Sequence, residues 1–136
     1  MKIEVNKDTK LKSIQEEFQK TFPFLKLEFY SGSHKAGQGS VKKYTINNNL
    51  SVGETSKIAK NNVLNIENTM KVSQLEDSFL KTFGLNVQVF RKSNNLWLQT
   101  TITDSWTLEK QNQNGKEMNV QENIIPNKDE DYHEQL

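Results

Sequence analysis

The sequence predicts an α+β fold made of two tandem β-α-β-β units, each followed by a short helix and related to the other by a pseudo-twofold axis. Three observations carry this expectation. The segments IQEEFQKTF (residues 14–22) and LEDSFLKTF (75–83) agree at most positions in apolar or polar character. Each is followed by a breaker, Pro23 or Gly84, and then by an alternating apolar run. Each helix also carries a single apolar stripe, which has to be buried against a neighbouring layer. The expected units cover residues 1–62 and 63–114 and share one core.

The second unit is the more legible. Residues 63–90 read as strand, turn, helix, stop and strand. Ser73 is the expected N-cap, with Glu76 three residues on to complete a capping box. Val72, Leu75, Phe79 and Phe83 recur at helical spacing, and Gly84 tolerates the left-handed conformation that closes a helix. Val87 and Val89 then alternate with Gln88 and Phe90, the period of a strand. Residues 92–95 suit a hairpin turn into LWLQTTI, residues 96–102. A further helix is expected over 103–113, capped by Asp104 and stopped at Asn114 and Gly115.

The first unit follows the same order. Residues 2–5 alternate as a strand, and Asp8 or Thr9 is the expected cap of a helix bearing Leu11, Ile14, Phe18 and Phe22. Pro23 ends it, because proline disfavours helical geometry in the residue before it. Leu25, Leu27 and Phe29 alternate as the next strand. A Gly/Ser-rich loop (31–40) leads to a second strand candidate, VKKYTI (41–46), and to a short helix within 48–60 capped by Ser51 with Glu54. The long aromatics Phe18, Phe22, Phe79 and Phe83 are expected at the centre. From Gly115 onward apolar residues are sparse and an acidic cluster, Asp129, Glu130 and Asp131, ends the chain. Such a segment cannot offset an ordering cost of roughly 1–2 kcal/mol per residue, so residues 115–136 are expected to be a mobile acidic tail.

Length and composition bound the rest. The chain has 136 residues and a net charge of +1, which supplies no general attraction to nucleic acid or membrane. The charge is unevenly spread. Residues 1–62 hold eleven lysines against six acidic residues, while residues 63–136 hold seven basic and eleven acidic ones. Cysteine is missing, which excludes disulfides and thiolate metal sites. The first residues lack the apolar run of a signal peptide and no segment has the length of a membrane span, so a cytoplasmic location is expected.

Few residues suggest chemistry. Gly32 and Gly37 have the spacing of phosphate-loop glycines, but Gln38 stands where the lysine belongs and the loop joins two strands, so an ordinary hairpin connection is preferred. His34 and His133 have no companion ligands at metal spacing. Thr100, Thr101, Thr103 and Asp104 can be drawn as a nucleophile cluster, although strand threonines beside a helix cap explain them better. The carboxylate pairs Glu16/Glu17 and Glu76/Asp77 are assigned to solvated helix faces. No catalytic, cofactor or metal residue is therefore assigned.

The strand aromatics are more informative. Alternation puts Phe90 and Trp97 on the face away from the helices, next to Arg91 and Lys92. That face is either covered by the other unit or by the helix with Trp106 and Leu108, or is a protein-binding patch, or is a stacking platform for single-stranded nucleic acid. Covering is favoured over a protein patch, and nucleic acid comes last.

Residues 69–112 contain the pattern MxVxxLxxxFxxxFGLxVQVFRxSxxxWLxTTxTDxWTLxxQN, written as TMKVSQLEDSFLKTFGLNVQVFRKSNNLWLQTTITDSWTLEKQN in this chain. In this the chain resembles a family of small proteins of Bacteroidota. The resemblance covers about a third of the chain, implies a bacterial, intracellular origin, and carries over no catalytic or binding residues. The expected function is a small non-enzymatic protein-interaction module, of accessory or inhibitor type, that binds another protein or itself through Phe90, Arg91, Lys92 and Trp97. The alternative is a nucleic-acid-binding module using Lys35, Lys42 and Lys43, with Lys57 and Lys60, beside the strand aromatics.

Overall fold

The computed structural model describes residues 1–32, 44–56 and 62–124, with side chains described as far as residue 119. The chain is α+β: β1 (Lys2–Val5), α1 (Leu11–Thr21), β2 (Leu25–Tyr30), α2 (Val52–Thr55), β3 (Asn62–Asn65), α3 (Val72–Phe83), β4 (Asn86–Ser93), β5 (Leu96–Gln99) and α4 (Leu108–Ile124). Two antiparallel sheets result, one of order β1-β3 and one of order β2-β4-β5. An isolated bridge between Tyr30 and Thr45 lies beyond the β2 end of the larger sheet. There Ile46 N donates to Phe29 O at 2.8 Å. Residues 41–43 of the expected strand lie outside the described residues.

Helix starts depart from the sequence reading. The N-cap of α1 is Lys10, where Asp8 or Thr9 was expected, and that of α3 is Lys71, two residues before Ser73. Both first turns are satisfied from a distant loop. Leu11 N donates to Leu50 O and Lys12 N to Asn48 O; Val72 N donates to Trp106 O and Ser73 N to Asp104 O. The loops are held in return by Val52 N to Thr9 O and Gly53 N to Lys7 O, and by Leu108 N to Met70 O and Glu109 N to Asn68 O. With first-turn N–H groups already paired to carbonyls, a Ser or Asp cap is not required.

Several other boundaries follow the expected signals. Gly84 closes α3 in the left-handed region at φ 68°, and Phe22 N donates to Phe18 O just before Pro23. Ser51 and Glu54 form the capping box of α2. The β4–β5 hairpin turns at Asn94, whose φ is 56°, an amide side chain being tolerant of that region. The second strand is shorter than expected and ends at Gln99. Helix α4 starts one turn after Asp104: Thr107 Oγ1 accepts from Lys110 N at 3.1 Å and caps it.

The helix stop expected at Asn114 and Gly115 is absent, since α4 continues to Ile124. Gly115 is buried, and a Cβ there would lie 2.8 Å from the Cβ of Phe24 and 3.3 Å from Cγ of Arg91. The glycine permits close packing of α4 on the sheet instead of ending the helix. Of the tail expected from Gly115, residues 115–124 thus continue α4, and residues 125–136 lie outside the described residues.

The core lies between the helices and the inner face of the larger sheet. Leu11, Ile14, Phe18 and Phe22 of the first helical stripe, and Val72, Leu75, Phe79 and Phe83 of the second, are buried with Leu25, Leu27, Phe29, Val87 and Val89. Phe79 meets Phe29 at 6.3 Å and Phe83 at 5.6 Å, edge to face, and Phe18 meets Phe22 at 5.1 Å. Edge-to-face pairs add about 0.5–1.5 kcal/mol each beyond the burial of their area.

Candidate functional site

Strand register builds the outer face of the larger sheet. Lys26 of β2 pairs with Phe90 of β4, and Trp97 of β5 pairs with Lys92 of β4. Opposed residues of an antiparallel pair share a face, so Lys26, Phe90, Lys92 and Trp97 lie together. All four are half-buried. The Lys26 ammonium stands 5.5 Å from the ring centre of Phe90, 5.0 Å from that of Trp97, and 3.4 Å from Glu28 Oε2. A cation shared between two ring faces holds both aromatics in place, at about 0.5–1 kcal/mol per contact near the surface.

Arg91 does not belong to this group. It projects to the inner face opposite Leu25 and is 5% exposed. Its Nη1 donates to Gln111 Oε1 at 2.6 Å, and Gln111 Nε2 donates to Thr103 O at 2.7 Å and Thr103 Oγ1 at 2.8 Å. The guanidinium also stacks 5.5 Å from Trp106, whose ring meets Lys110 Nζ at 4.3 Å. Burial pushes the Arg91 pKa down, and its buried Nε has no hydrogen-bond partner among the described residues. Trp106 and buried Leu108 therefore pack on the inner side, so the helix that carries Leu108 is not a cover for Phe90 and Trp97.

A second correction concerns Glu76, which is 9% exposed and not on a solvated face. Its Oε2 accepts from Val89 N at 3.2 Å and from Gln88 Nε2 at 3.4 Å. Thr100 donates from N (3.2 Å) and Oγ1 (2.9 Å) to Val89 O. Where β5 ends, the carboxylate and the threonine thus take over the backbone bonds that a longer strand would have made to β4. Other members of the threonine cluster also make bonds within the fold. Thr100 and Thr103 hydroxyls are engaged with Val89 and Gln111, and Asp104 O receives Ser73 N.

Lys35, Lys42, Lys43, Lys57, Lys60, His34, His133 and Gly37 lie outside the described residues. Gly32 is described, with φ 84° at the start of the loop. Among the described residues no group of three His, Cys, Asp or Glu side chains could hold a metal ion. No described helix is long and apolar enough to cross a membrane.

Sequence reasoning missed two members of these clusters. Lys26 was invisible because only the β2–β4 register brings it between Phe90 and Trp97. Gln111 was missed because its partners come from β4 and from the loop before α4. No protein-family model, curated protein or solved structure matches the chain.

Proposed function

We propose that the chain is a duplicated β-α-β-β(-α) unit, residues 1–62 and 63–114, that acts as a non-enzymatic protein-interaction module through the outer face of its larger sheet. The duplication is supported by the strand registers. Ile14 and Leu75 of the matching helical segments are 61 apart in sequence. Ile3 pairs with Leu64, also 61 apart, and Glu28 pairs with Gln88, 60 apart after the one-residue difference between Phe22-Pro23-Phe24-Leu25 and Phe83-Gly84-Leu85. An antiparallel pair whose opposed residues are also sequence equivalents is what a twofold axis through that pair requires. The loop bonds agree. Lys7, Thr9, Leu11 and Lys12 correspond to Asn68, Met70, Val72 and Ser73, and their partners Gly53, Val52, Leu50 and Asn48 to Glu109, Leu108, Trp106 and Asp104. The Tyr30–Thr45 bridge corresponds to the Phe90–Gln99 pair.

One observation carries the functional reading: Phe90 and Trp97 lie side by side on one strand face, bound to the Lys26 ammonium and turned away from the α3 and α4 packing. Aromatic anchors with a nearby cation are the residues that concentrate binding energy at protein interfaces. Lys92 belongs to that patch, and Arg91 supports it from the inner side. The nucleic-acid reading is weaker, because Lys26 already occupies the ring faces on which a base would stack. A cytoplasmic location and membership of the Bacteroidota family that shares the 69–112 pattern complete the proposal.

The test is capture from a host extract on the immobilised chain, with Phe90→Ala beside it, between about 50 and 200 mM salt. A protein retained across that range and lost with Phe90→Ala supports the reading. Retention of nucleic acid that falls steeply with salt, or capture indifferent to Phe90, overturns it.

A further inference from the structure

Strand β5 is the edge of the larger sheet among the described residues. Thr100 N donates to Val89 O, and Lys92 N donates to Phe24 O on the β2 side. Backbone groups alternate in direction along an antiparallel strand. Leu96 and Leu98 therefore direct theirs at β4, and Trp97 directs its N–H and C=O outward. Natural edges are usually blunted by shortness, lysine, proline, bulges or a covering element. β5 is short, at four residues, but its sequence LWLQ carries no lysine or proline. Leu96 is 64% exposed. Leu96 and Leu98 lie on one side of the strand and Trp97 on the other, so a strand laid against this edge finds apolar contact on both faces.

Resting on the interaction reading above, we propose that β5 receives an extended segment of a partner protein as a further strand, and that this segment alternates apolar with acidic side chains. Apolar residues would sit beside Leu96 and Leu98 on the inner side. Acidic residues would sit beside Trp97 on the outer side, where Lys26 and Lys92 are the nearby cations among the described residues. Lys26 already has Glu28, whereas Lys92 makes no ion pair among the described residues. An added strand lies about 10 Å from β4, two strand spacings, a gap that a lysine and a glutamate side chain reach across together. A second copy of this chain fits less well. It would offer the same uncharged LWLQ and bring its own Lys26 and Lys92 to the outer face, adding like charge where a carboxylate is needed.

The test uses the full chain labelled with nitrogen-15 and two synthetic heptapeptides, one alternating Val and Glu, the other Val and Lys. The Val-Glu peptide should bind at least tenfold more tightly and slow exchange of the Trp97 amide at least tenfold. Equal binding of the two peptides overturns the acidic preference. Binding that shifts the Phe90 and Trp97 rings but leaves Trp97 amide exchange unchanged overturns strand addition, while leaving the aromatic face intact as a docking site. Dimerisation that protects the same amide without peptide identifies a second copy as the occupant and overturns the proposal. No response to either peptide also overturns it, and the Phe90→Ala capture experiment then decides separately whether the interaction reading fails too.

Discussion

Single residues carry the contacts that sequence patterns misassign. Gly115 is the clearest. Within a helix, alanine is ordinarily favoured over glycine by about 1 kcal/mol. Here an alanine Cβ would approach the Phe24 Cβ to 2.8 Å, an atom close to the backbone that cannot swing aside. Gly115→Ala is therefore expected to destabilise the fold by about 1–2 kcal/mol in urea titration, despite the better helix former. Glu54 gives a pH-dependent case. Hydrogen bonds from the Ser51 backbone and side chain hold its pKa below the ordinary 4.5. The folded state then binds its proton less readily than the unfolded chain. Its contribution is complete above the ordinary value and is lost as pH falls through the lower folded value. The stability gap between the native protein and Glu54→Gln should be present at neutral pH and close in acid, as read from paired denaturation curves. The Ser51–Glu54 box was legible because both partners lie within one turn. Glu76 was not, because what it binds, Val89 N and the Gln88 side chain, is separated from it by the turn at Gly84.

Helices and strands were legible where periodicity alone determines them, and less so where their ends depend on other parts of the chain. The stripes of α1 and α3, the breakers Pro23 and Gly84, and the alternation in β2 and β4 all reflect local geometry. The starts of α1 and α3 do not, since carbonyls of Leu50 and Trp106, far along the chain, receive their first N–H groups. The length of α4 failed for a related reason: its low apolar content and Asn114-Gly115 look like an ending, yet the glycine is required by contact with Phe24 and Arg91. At this scale the strongest expectation concerns the α3 stripe. Phe79 is fully buried between Phe29 and Phe83. Phe79→Ala should cost roughly 3–5 kcal/mol by thermal or chemical unfolding, the loss typical of a truncated buried aromatic whose cavity persists.

For the whole molecule, two antiparallel pairings, β1 with β3 and β2 with β4, bring the early and late strands of the chain together. Helices cover one face of the larger sheet. The opposite face was readable in part: strand alternation brought Phe90 and Trp97 together, but neither the inward turn of Arg91 nor the bridging by Lys26 follows from one strand's sequence. On this account Trp97 is a binding residue and not a core residue. The most direct measurement is Trp97→Ala, followed in parallel by chemical unfolding and by affinity for the captured partner. The account predicts a loss of about 1 kcal/mol or less in folding stability, with at least a tenfold loss of affinity, equal to about 1.4 kcal/mol of binding. A loss of roughly 3–5 kcal/mol in stability with unchanged affinity would put Trp97 in the core and contradict the account.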